Sequence, residues 1–378
     1  MSTAENGNLP ETFKALQFTS NTSPPSIVDL PTPRPGAGTI IVRPLYSNIV
    51  AYANDIFTNG NPRGYHYPLP LVPGSSSVGR VAAVPDDTKT LRPGQLVWTD
   101  IVVRARDDPD AKILHGLHEG FTEGSRALMS GEWRNGSWAD LFQIPAENVH
   151  ILDEEALIKK LGYNMEDLGF LGVLAVPYGG LRDVALRPGE TILIAPATGA
   201  FGGAAVHVAL ALGAGKVIAM GRNKGVLAEL KALAPERVEV VEMSGDTATD
   251  TAALAPHGPL DVYFDMSPPN AGKSGHFKAG LATLRPGGRM GIMGGVSGDV
   301  ELPYAQIMFK GLTLKGTYMY SREQVHELIK MVETGVLKIG SKAGMRVMGK
   351  YPLEQWSEAF ETASREGRMG QSVFFVPN

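Results

Sequence analysis

The segment "TILIAPATGAFGGAAVHVALALGAGKVIAMGRNK", residues 191–224, limits what the rest of the chain can be. It begins as a buried strand ending at Ala197, and an almost wholly apolar helix opens near Gly202. Between them Thr198, Gly199, Ala200 and Phe201 form a tight turn, and a second strand, "KVIAMG", closes the unit at Met220-Gly221. The glycine spacing is A-x-G-x-x-G. Alone it says little, but the strand–turn–helix–strand order around it makes it a dinucleotide fingerprint. Gly199 leaves room for a pyrophosphate against the backbone, Gly202 lets helix and strand pack closely, and the helix N-terminal N–H groups face the phosphates. The competing reading is a tight turn in a non-binding α/β domain.

The end of the second strand selects between nucleotides. A binder of NAD usually carries a carboxylate there to accept from the ribose 2′-OH. This chain has Gly221-Arg222-Asn223-Lys224 instead. A missing acid and two cations suit a 2′-phosphate, with Arg222 stacking on adenine or binding phosphate in a fork. NADP(H) is therefore expected over NAD(H); the alternative is that Arg222 and Lys224 form a solvated cap on the next helix. Further apolar strands, "LDVYFDM" (260–266) and "GGRMGIMGG" (287–295), alternate with helical segments, which gives a parallel sheet covered on both faces. Strand ends facing its switch point add Met266, Ser267, Gly294, Gly295, Val296 and Met319 as cofactor contacts.

Residues 12–150 have a different rhythm. "TIIVRPLYSNI", "SSVGRVAAV", "GQLVWTDIVVRA" and "GSWADLFQIPAENV" are β-branched or alternating runs between Pro/Gly turns, so this part is all-β, a distorted barrel. The polar stretch 104–135 reads as a surface lobe. A chain of 378 residues calls for two domains. A net charge of −4 gives no footprint for nucleic acid or an anionic membrane. "MSTAENGNLPETFKALQF" lacks the basic and apolar regions of a secretory signal, and "LGFLGVLAVPYGGL" is interrupted by Pro177 and glycines, so a cytoplasmic protein is expected. Cysteine is absent, which removes disulfides, thiolate nucleophiles and Cys-ligated metals. Of the eight histidines only His115 and His118 are close in sequence, without a HExxH pattern.

In this order the segments resemble the medium-chain dehydrogenase/reductase superfamily over most of the chain. "YANDIFTNG" looks like its early active-site segment, "LPLVPGSSSVGRVAAV" like its P-x-x-x-G-x-E-x-x-G-x-V block, and "LRPGQLVW" and "GSWADLFQIPAENV" like the two that follow. "LRPGETILIAPATGAFGGAA", "LRPGGRMGIMGG" and "YPLEQWSEAFE" resemble the cofactor turn and the late signatures. The resemblance implies a GroES-like distorted β-barrel catalytic domain (1–176 and 319–378) and a Rossmann doubly wound NADP-binding domain (177–318). It implies a homodimer paired edge to edge through "MGIMGG", and a small organic substrate.

Zinc-dependent members of that superfamily carry a Cys three residues before the Asp of the early segment, which here is Tyr52. Their His-Glu pair falls on Ser75-Ser76 and their third ligand near Gly172, and the structural-zinc lobe falls in 104–135 without a Cys. The resemblance thus points to the zinc-free quinone and enoyl reductase branch, with no metal. The serine run also fails the G-x-S-x-G elbow, because Ser75 takes the first Gly position; Ser75 and Ser76 are expected to line a metal-free active-site wall. Without a Lewis acid, hydride delivery favours acceptors that spread charge by conjugation. Candidate catalytic donors are Tyr52, Asn54, Tyr65 and Tyr67, with packing under the domain interface as each tyrosine's alternative. Asp100 and Tyr178 are expected in the substrate pocket, or else as a turn residue and a core residue. The expected activity is NADPH-dependent reduction of a conjugated C=C or a quinone. The alternatives are a zinc-independent carbonyl reductase or alcohol dehydrogenase, and an NADP(H)-binding protein without redox turnover.

Overall fold

The computed structural model describes residues 9–377, so the first eight residues of the N-terminal segment weighed above, and Asn378, lie outside the described residues. The chain divides into two compact units. One takes the chain up to Gly172, Val332–Gly367 and the residues from Gln371 on; the other takes Val173–Met331 and Arg368–Gly370.

The first unit contains β1 (Thr12–Gln17), β2 (Ser26–Pro31), β3 (Thr39–Ile49), β4 (Ser77–Ala83), β5 (Leu96–Thr99), β6 (Val102–Arg104), β7 (Lys112–Leu114), β8 (Phe142–Pro145) and β9 (Val149–Ile151). Between strands run the short α1 (Ala53–Phe57) and α2 (Glu123–Ser130), the latter capped by the Thr122 hydroxyl accepting from Ser125 N–H. The lobe at 104–135 is more ordered than its composition suggests: β6 pairs with β7, and α2 follows. Ile40, Val42, Val81, Val97, Phe142 and Ile144 form a buried cluster along the long strands. Their β-branched and aromatic side chains fit a half-buried pleated surface.

The second unit alternates strand and helix. It runs α3 (Leu171–Asp183, entering from the first unit), β10 (Thr191–Ala195), α4 (Ala200–Ala211), β11 (Lys216–Gly221), α5 (Lys224–Leu233), β12 (Val238–Glu242), α6 (Thr247–Leu254) and β13 (Leu260–Asp265). Then come α7 (His276–Thr283), β14 (Leu284–Ile292), α8 (Tyr304–Phe309), β15 (Thr313–Gly316) and α9 (Arg322–Glu333). The sheet order is β12-β11-β10-β13-β14-β15 and every neighbouring pair is parallel. Strand order reverses between β10 and β13, which opens a crevice at their carboxyl ends.

The chain returns to the first unit with β16 (Arg346–Tyr351), α10 (Trp356–Glu366) and β17 (Gln371–Phe375). β17 lies parallel to β16 and antiparallel to β3, completing a bent sheet in the order β16-β17-β3-β4-β5-β9, with β8 also on β3. Trp138 packs against Phe57, Phe360 and Phe375 at ring separations of 5.4, 5.3 and 5.1 Å, so the returning segments are fixed by aromatic burial.

Three sequence expectations change here. The helix α3 continues through Pro177, and no described helix is long and apolar enough to cross a membrane. The units part at 172/173 and 331/332 rather than 176/177 and 318/319. The side chains of α3 explain the shift: Asp183 accepts from Thr317 and Gln324, and Glu327 accepts from Tyr178 and Arg182, tying the start of α9 to the second unit. Finally, β14, which carries "MGIM", is hydrogen-bonded on both sides, so it has no edge to offer a second copy; the sheet's edges are β12 and β15.

Candidate functional site

The carboxyl ends of β10 and β11 form the first part of the site. Gly199 is the N-cap of α4 and supplies no side-chain cap, so the first N–H groups of the helix are left for a ligand. A Cβ on Gly199 would meet nothing within 4 Å, which leaves the approach to those groups clear. Gly202 has the opposite reason: a Cβ there would run into the carbonyl oxygen of Pro196, so it is needed for close helix–strand packing. Ala197 is buried and donates its N–H to Met220 O at 2.7 Å. Thr198, Ala200 and Phe201 stay partly exposed around the turn.

At the end of β11, a Cβ on Gly221 would lie 2.5 Å from the Thr198 methyl group, so no carboxylate side chain could replace this glycine without displacing Thr198. Arg222 is exposed and has no ion-pair partner among the described residues. Its two neighbours have other work. Asn223 caps α5 by accepting from Val226 N–H at 3.2 Å, and Lys224 pairs with Glu242 at 2.9 Å. Glu242 stands opposite Gly221 in the β11–β12 register, so a carboxylate is near this corner after all, supplied by the adjoining strand and neutralised by Lys224. Of the expected pair of cations, only Arg222 remains available.

A buried polar chain lies at the end of β13. Asp265 accepts from Ser267 N–H at 3.1 Å, from the Ser267 hydroxyl at 2.5 Å and from Gly294 N–H at 3.2 Å. The Ser267 hydroxyl is also 2.9 Å from His276 Nε2, and His276 Nδ1 is 2.7 Å from the Ser274 hydroxyl. With Asp265 ionised, Ser267 donates to it and accepts from His276 Nε2–H, and Ser274 donates to Nδ1. Ser267 is 2% exposed, so its hydroxyl braces the loop and does not meet the cofactor, contrary to the expectation for its side chain. Burial raises the Asp265 carboxyl to about 6 against these hydrogen bonds, and burial lowers His276 to about 4. Gly294 and Gly295 are pinned by this loop, Gly295 N–H donating to Ser267 O at 2.9 Å with open space where its Cβ would point. Met266 is partly exposed and Val296 packs on the sheet's apolar cluster. Met319 adopts a left-handed φ of 65°, a strained choice for a side-chain-bearing residue.

The first unit gathers another constellation. The ring of Tyr65 lies 6.2 Å from Tyr52 and 5.2 Å, edge-on, from His118; Phe121 is 5.1 Å and His66 6.4 Å from His118. The Arg63 guanidinium sits 3.9 Å over the Tyr52 ring while its Nε donates to Asp55 at 3.2 Å. Asn54 is turned into its own helix end, its side-chain oxygen accepting from the Thr58 hydroxyl at 3.0 Å. Tyr67 is not in this group as a donor: its hydroxyl is spent on Ile56 O at 2.7 Å, and burial pushes it up to about 12. Asp100 is 1% exposed; its carboxylate accepts from Val102 N–H at 2.8 Å and lies 4.0 Å from His150, so it closes a buried turn instead of lining a pocket. Tyr178 donates to Glu327 at 2.9 Å inside the second unit, and its burial raises the phenol strongly, which makes it a packing residue. Ser75 is partly buried, its backbone bracketed by the Ser137 hydroxyl at 3.2 and 2.9 Å.

Two family models match in the order the fold requires. The "alcohol dehydrogenase GroES-like domain" covers residues 36–154 and the "zinc-binding dehydrogenase" residues 200–334, together more than half of the chain. The L-threonine 3-dehydrogenase of Anaeromyxobacter dehalogenans is 26% identical over 353 residues, 91% of this chain and 93% of the relative. Among solved structures, the alcohol dehydrogenase of Thermus sp. ATN1 superposes with a TM-score of 0.76 at 21% identity, covering 97% of this chain and 100% of that one. A Sinorhizobium meliloti 1021 chain described as a zinc-binding dehydrogenase bound to NADP gives 0.75 at 18% identity, again over 97% and 100%. The chain belongs to the medium-chain dehydrogenase/reductase superfamily.

Within that superfamily it is an oxidoreductase, and the positions of the family's zinc ligands can be inspected directly. Gly172 faces the Ser76 hydroxyl so closely that a Cβ at 172 would collide with it, with the Asn48 amide 3.6 Å away. The two positions inferred from sequence therefore do converge. What converges is a hydroxyl and a glycine, and the third position holds a phenol covered by a guanidinium. Such a set offers no thiolate, imidazole or carboxylate and does not fit zinc. Among the described residues no group of three or more His, Cys, Asp or Glu side chains is gathered to hold a metal, His115 and His118 included. The dinucleotide does fit, through the open α4 N-terminus, the clear approach at Gly199 and the unpaired Arg222. Sequence reasoning missed Arg63, Glu242, His276 and the role of His118. Glu242 meets Lys224 from another strand. Arg63 and His118 sit in irregular loops and His276 opens α7, and the partners of these three, though near in sequence, follow no helix or strand period.

Proposed function

We propose that the chain is a zinc-independent, NADPH-dependent reductase of a conjugated C=C or quinone-type small molecule. The observation that carries this reading is the hydroxyl–glycine–phenol set at the zinc-ligand positions. With no metal ligand set to polarise an isolated carbonyl, the acceptor must spread its own charge. Bound NADPH supplies the hydride. The second unit's residues hold the pyrophosphate on the α4 N-terminus and meet the 2′-phosphate with Arg222; the hydrogen-bond donors expected for a developing oxyanion, Tyr52 and Tyr65, belong to the first unit. The NADP-bound structural neighbour supports the nucleotide choice.

The name L-threonine 3-dehydrogenase carried by the relatives favours a second reading, a metal-free carbonyl reductase or alcohol dehydrogenase acting on a C=O/CH–OH group. Titration with NADPH and NADH, then a substrate screen with and without chelator, separates the readings. The expected result is tighter NADPH binding, weakened about tenfold or more by Arg222→Ala, and turnover unchanged by chelator. Lys224→Ala releases Glu242 and is expected to weaken NADPH more than NADH. Equal affinity for the two nucleotides would overturn the NADP(H) assignment, and chelator-sensitive turnover the zinc-free one. A saturated ketone as product supports the lead reading and an allylic alcohol the second. Nucleotide binding without turnover over the whole panel would leave a cofactor-binding protein. We also propose that two copies of the chain associate.

A further inference from the structure

The buried chain Asp265–Ser267–His276–Ser274 ends at a hydroxyl whose direction its inner members control. Its three links measure 2.5, 2.9 and 2.7 Å, and each needs one hydrogen between its two heavy atoms. With Asp265 ionised and His276 neutral, the four side chains own three hydrogens, one on each serine and one on the ring. All three are used inside the chain, and the Ser274 hydroxyl points its hydrogen at Nδ1. One added proton leaves a hydrogen over. On Asp265 or on His276 it has the same effect: Nδ1–H donates to Ser274, and the Ser274 hydroxyl is free to donate outward. The inner end cannot take up the surplus, because the second Asp265 oxygen already accepts from Gly294 N–H at 3.2 Å. Moving the ring proton to Nδ1 without adding one fails too, since the 2.5 Å Asp265–Ser267 contact would lose its hydrogen.

Asp265, Ser267 and His276 are buried, and Ser274 alone of the four is half-buried. Its loop is docked on the turn after β12: Gly275 N–H donates to Gly245 O at 2.8 Å, and a Cβ on Gly245 would lie 3.7 Å from the Ser274 oxygen. Met243 N–H ties that turn to the end of β11 by donating to Gly221 O at 2.9 Å, and Arg222 follows. The turn spends its own donors inward, Ser244 N–H, the Ser244 hydroxyl and Gly245 N–H all going to Asp250 at 2.8, 2.7 and 3.1 Å. Asp246 is occupied by Thr249 N–H and its hydroxyl at 2.8 and 2.7 Å, and Lys278 by Glu301 at 2.7 Å. Burial lowers the His276 pKa, the charge of Asp250 raises it and that of Arg222 lowers it, so both charges are felt at the ring. Lys273, beside Ser274, is exposed and has no ion-pair partner among the described residues. Resting on the NADPH reading above, we propose that Ser274 joins Arg222 as a ligand of the nucleotide's 2′-phosphate, and that binding this phosphate draws one proton onto the Asp265–Ser267–His276 chain. A free 2′-OH makes no such demand, because it can donate to the Ser274 oxygen as it stands. The bound state then holds more protons than the free one for NADPH alone, so its affinity falls as pH rises.

Isothermal titration calorimetry of the full-length chain, in buffers of different ionisation enthalpy, counts the protons taken up on binding. At pH 7.5 NADPH should draw about half a proton or more, and NADH none. From pH 7 to pH 8.5 the NADPH Kd should rise about threefold or more while the NADH Kd stays level. The phosphate itself does not imitate this, since its second ionisation lies at about pH 6 and capturing it as a dianion releases protons. Ser274→Ala should weaken NADPH about tenfold at pH 7, abolish the uptake and leave NADH unchanged. His276→Gln keeps an amide N–H for Ser267 but nothing that titrates between the serines. It should bind NADPH without uptake and with a Kd level in pH. The NADH Kd checks the folding of both variants. The proposal is overturned if a wild type that prefers NADPH takes up no proton, if Ser274→Ala weakens both nucleotides alike, or if either variant retains the uptake. A wild type that binds the two nucleotides equally, or binds neither, overturns the NADP(H) assignment, and this inference with it.

Discussion

At the scale of single residues, the interior holds several groups that titrate against their surroundings. Burial lowers His115, His207 and His276 to about 4 in the folded chain. An unfolded histidine titrates near its ordinary value of about 6.5. Below that value the unfolded chain binds protons that the folded chain refuses, so each group's contribution is intact above about 6.5 and declines as pH falls toward 4. Asp265 works in the opposite sense. Raised to about 6, it binds a proton in the folded state before it does so unfolded, so its contribution is present at low pH and is lost as pH rises through about 6. Three histidines against one aspartate leave a net loss of stability on mild acidification. His207 isolates the effect, because it is buried in α4 and makes no side-chain hydrogen bond among the described residues. His207→Leu should leave stability at pH 7 close to wild type and shrink the loss between pH 7 and pH 5 by about 2 kcal/mol. Denaturant unfolding at the two pH values measures it, and an unchanged difference would show that His207 titrates normally.

At the scale of elements, α4 sets stability against function. A side chain at Gly199 meets open space, and an N-cap carboxylate generally stabilises a helix by about 1 kcal/mol. Gly199→Asp should therefore raise the melting temperature while weakening NADPH at least tenfold, because its charge faces the phosphates. Gly202→Ala should lower stability instead, through the collision with Pro196 O. Differential scanning fluorimetry with and without NADPH distinguishes the two, and a Gly199→Asp chain that still binds NADPH normally would remove the pyrophosphate from this helix. These two glycines were readable from spacing, as were β3, β10 and β11, whose β-branched cores stand out in the sequence. The strands β12 and β15 were not: both are short and lie at sheet edges with exposed positions, "VEVVE" being interrupted by two glutamates and "TLKG" having a single large apolar residue. The convergence of Ser76 with Gly172 followed from motif order. The Glu242–Gly221 register and the Asp265–Ser267–His276–Ser274 chain did not, since each depends on how strands are staggered or which loop crosses another.

At the scale of the whole molecule, the proposed association of two copies can be tested at the open edge of the second unit's sheet. Among the described residues β15 pairs only with β14, and three of its four residues are exposed. An unpaired strand edge is a template for another strand unless something blunts it. Beside it α8 shows Tyr304 and Phe309 each 81% exposed and Met308 54% exposed, a concentration of large apolar surface absent from β12, the opposite edge. The helix is not loosely attached, for the Lys310 ammonium at its end donates to Ala282 O and Leu284 O at 2.6 and 2.8 Å. Apolar side chains on a fixed support, next to open backbone groups, are what a two-fold pairing of identical edges requires, since each copy then covers its partner's α8 while the strands join. Phe309→Glu with Tyr304→Glu puts like charges together across such an axis, and should convert a dimer to monomer in sedimentation equilibrium while the NADPH Kd stays unchanged. A charge at the β12 edge, Val240→Glu, should leave the assembly intact. If the wild type sediments as a monomer, or if Val240→Glu dissociates it and the α8 pair does not, the β15 edge is not where copies meet.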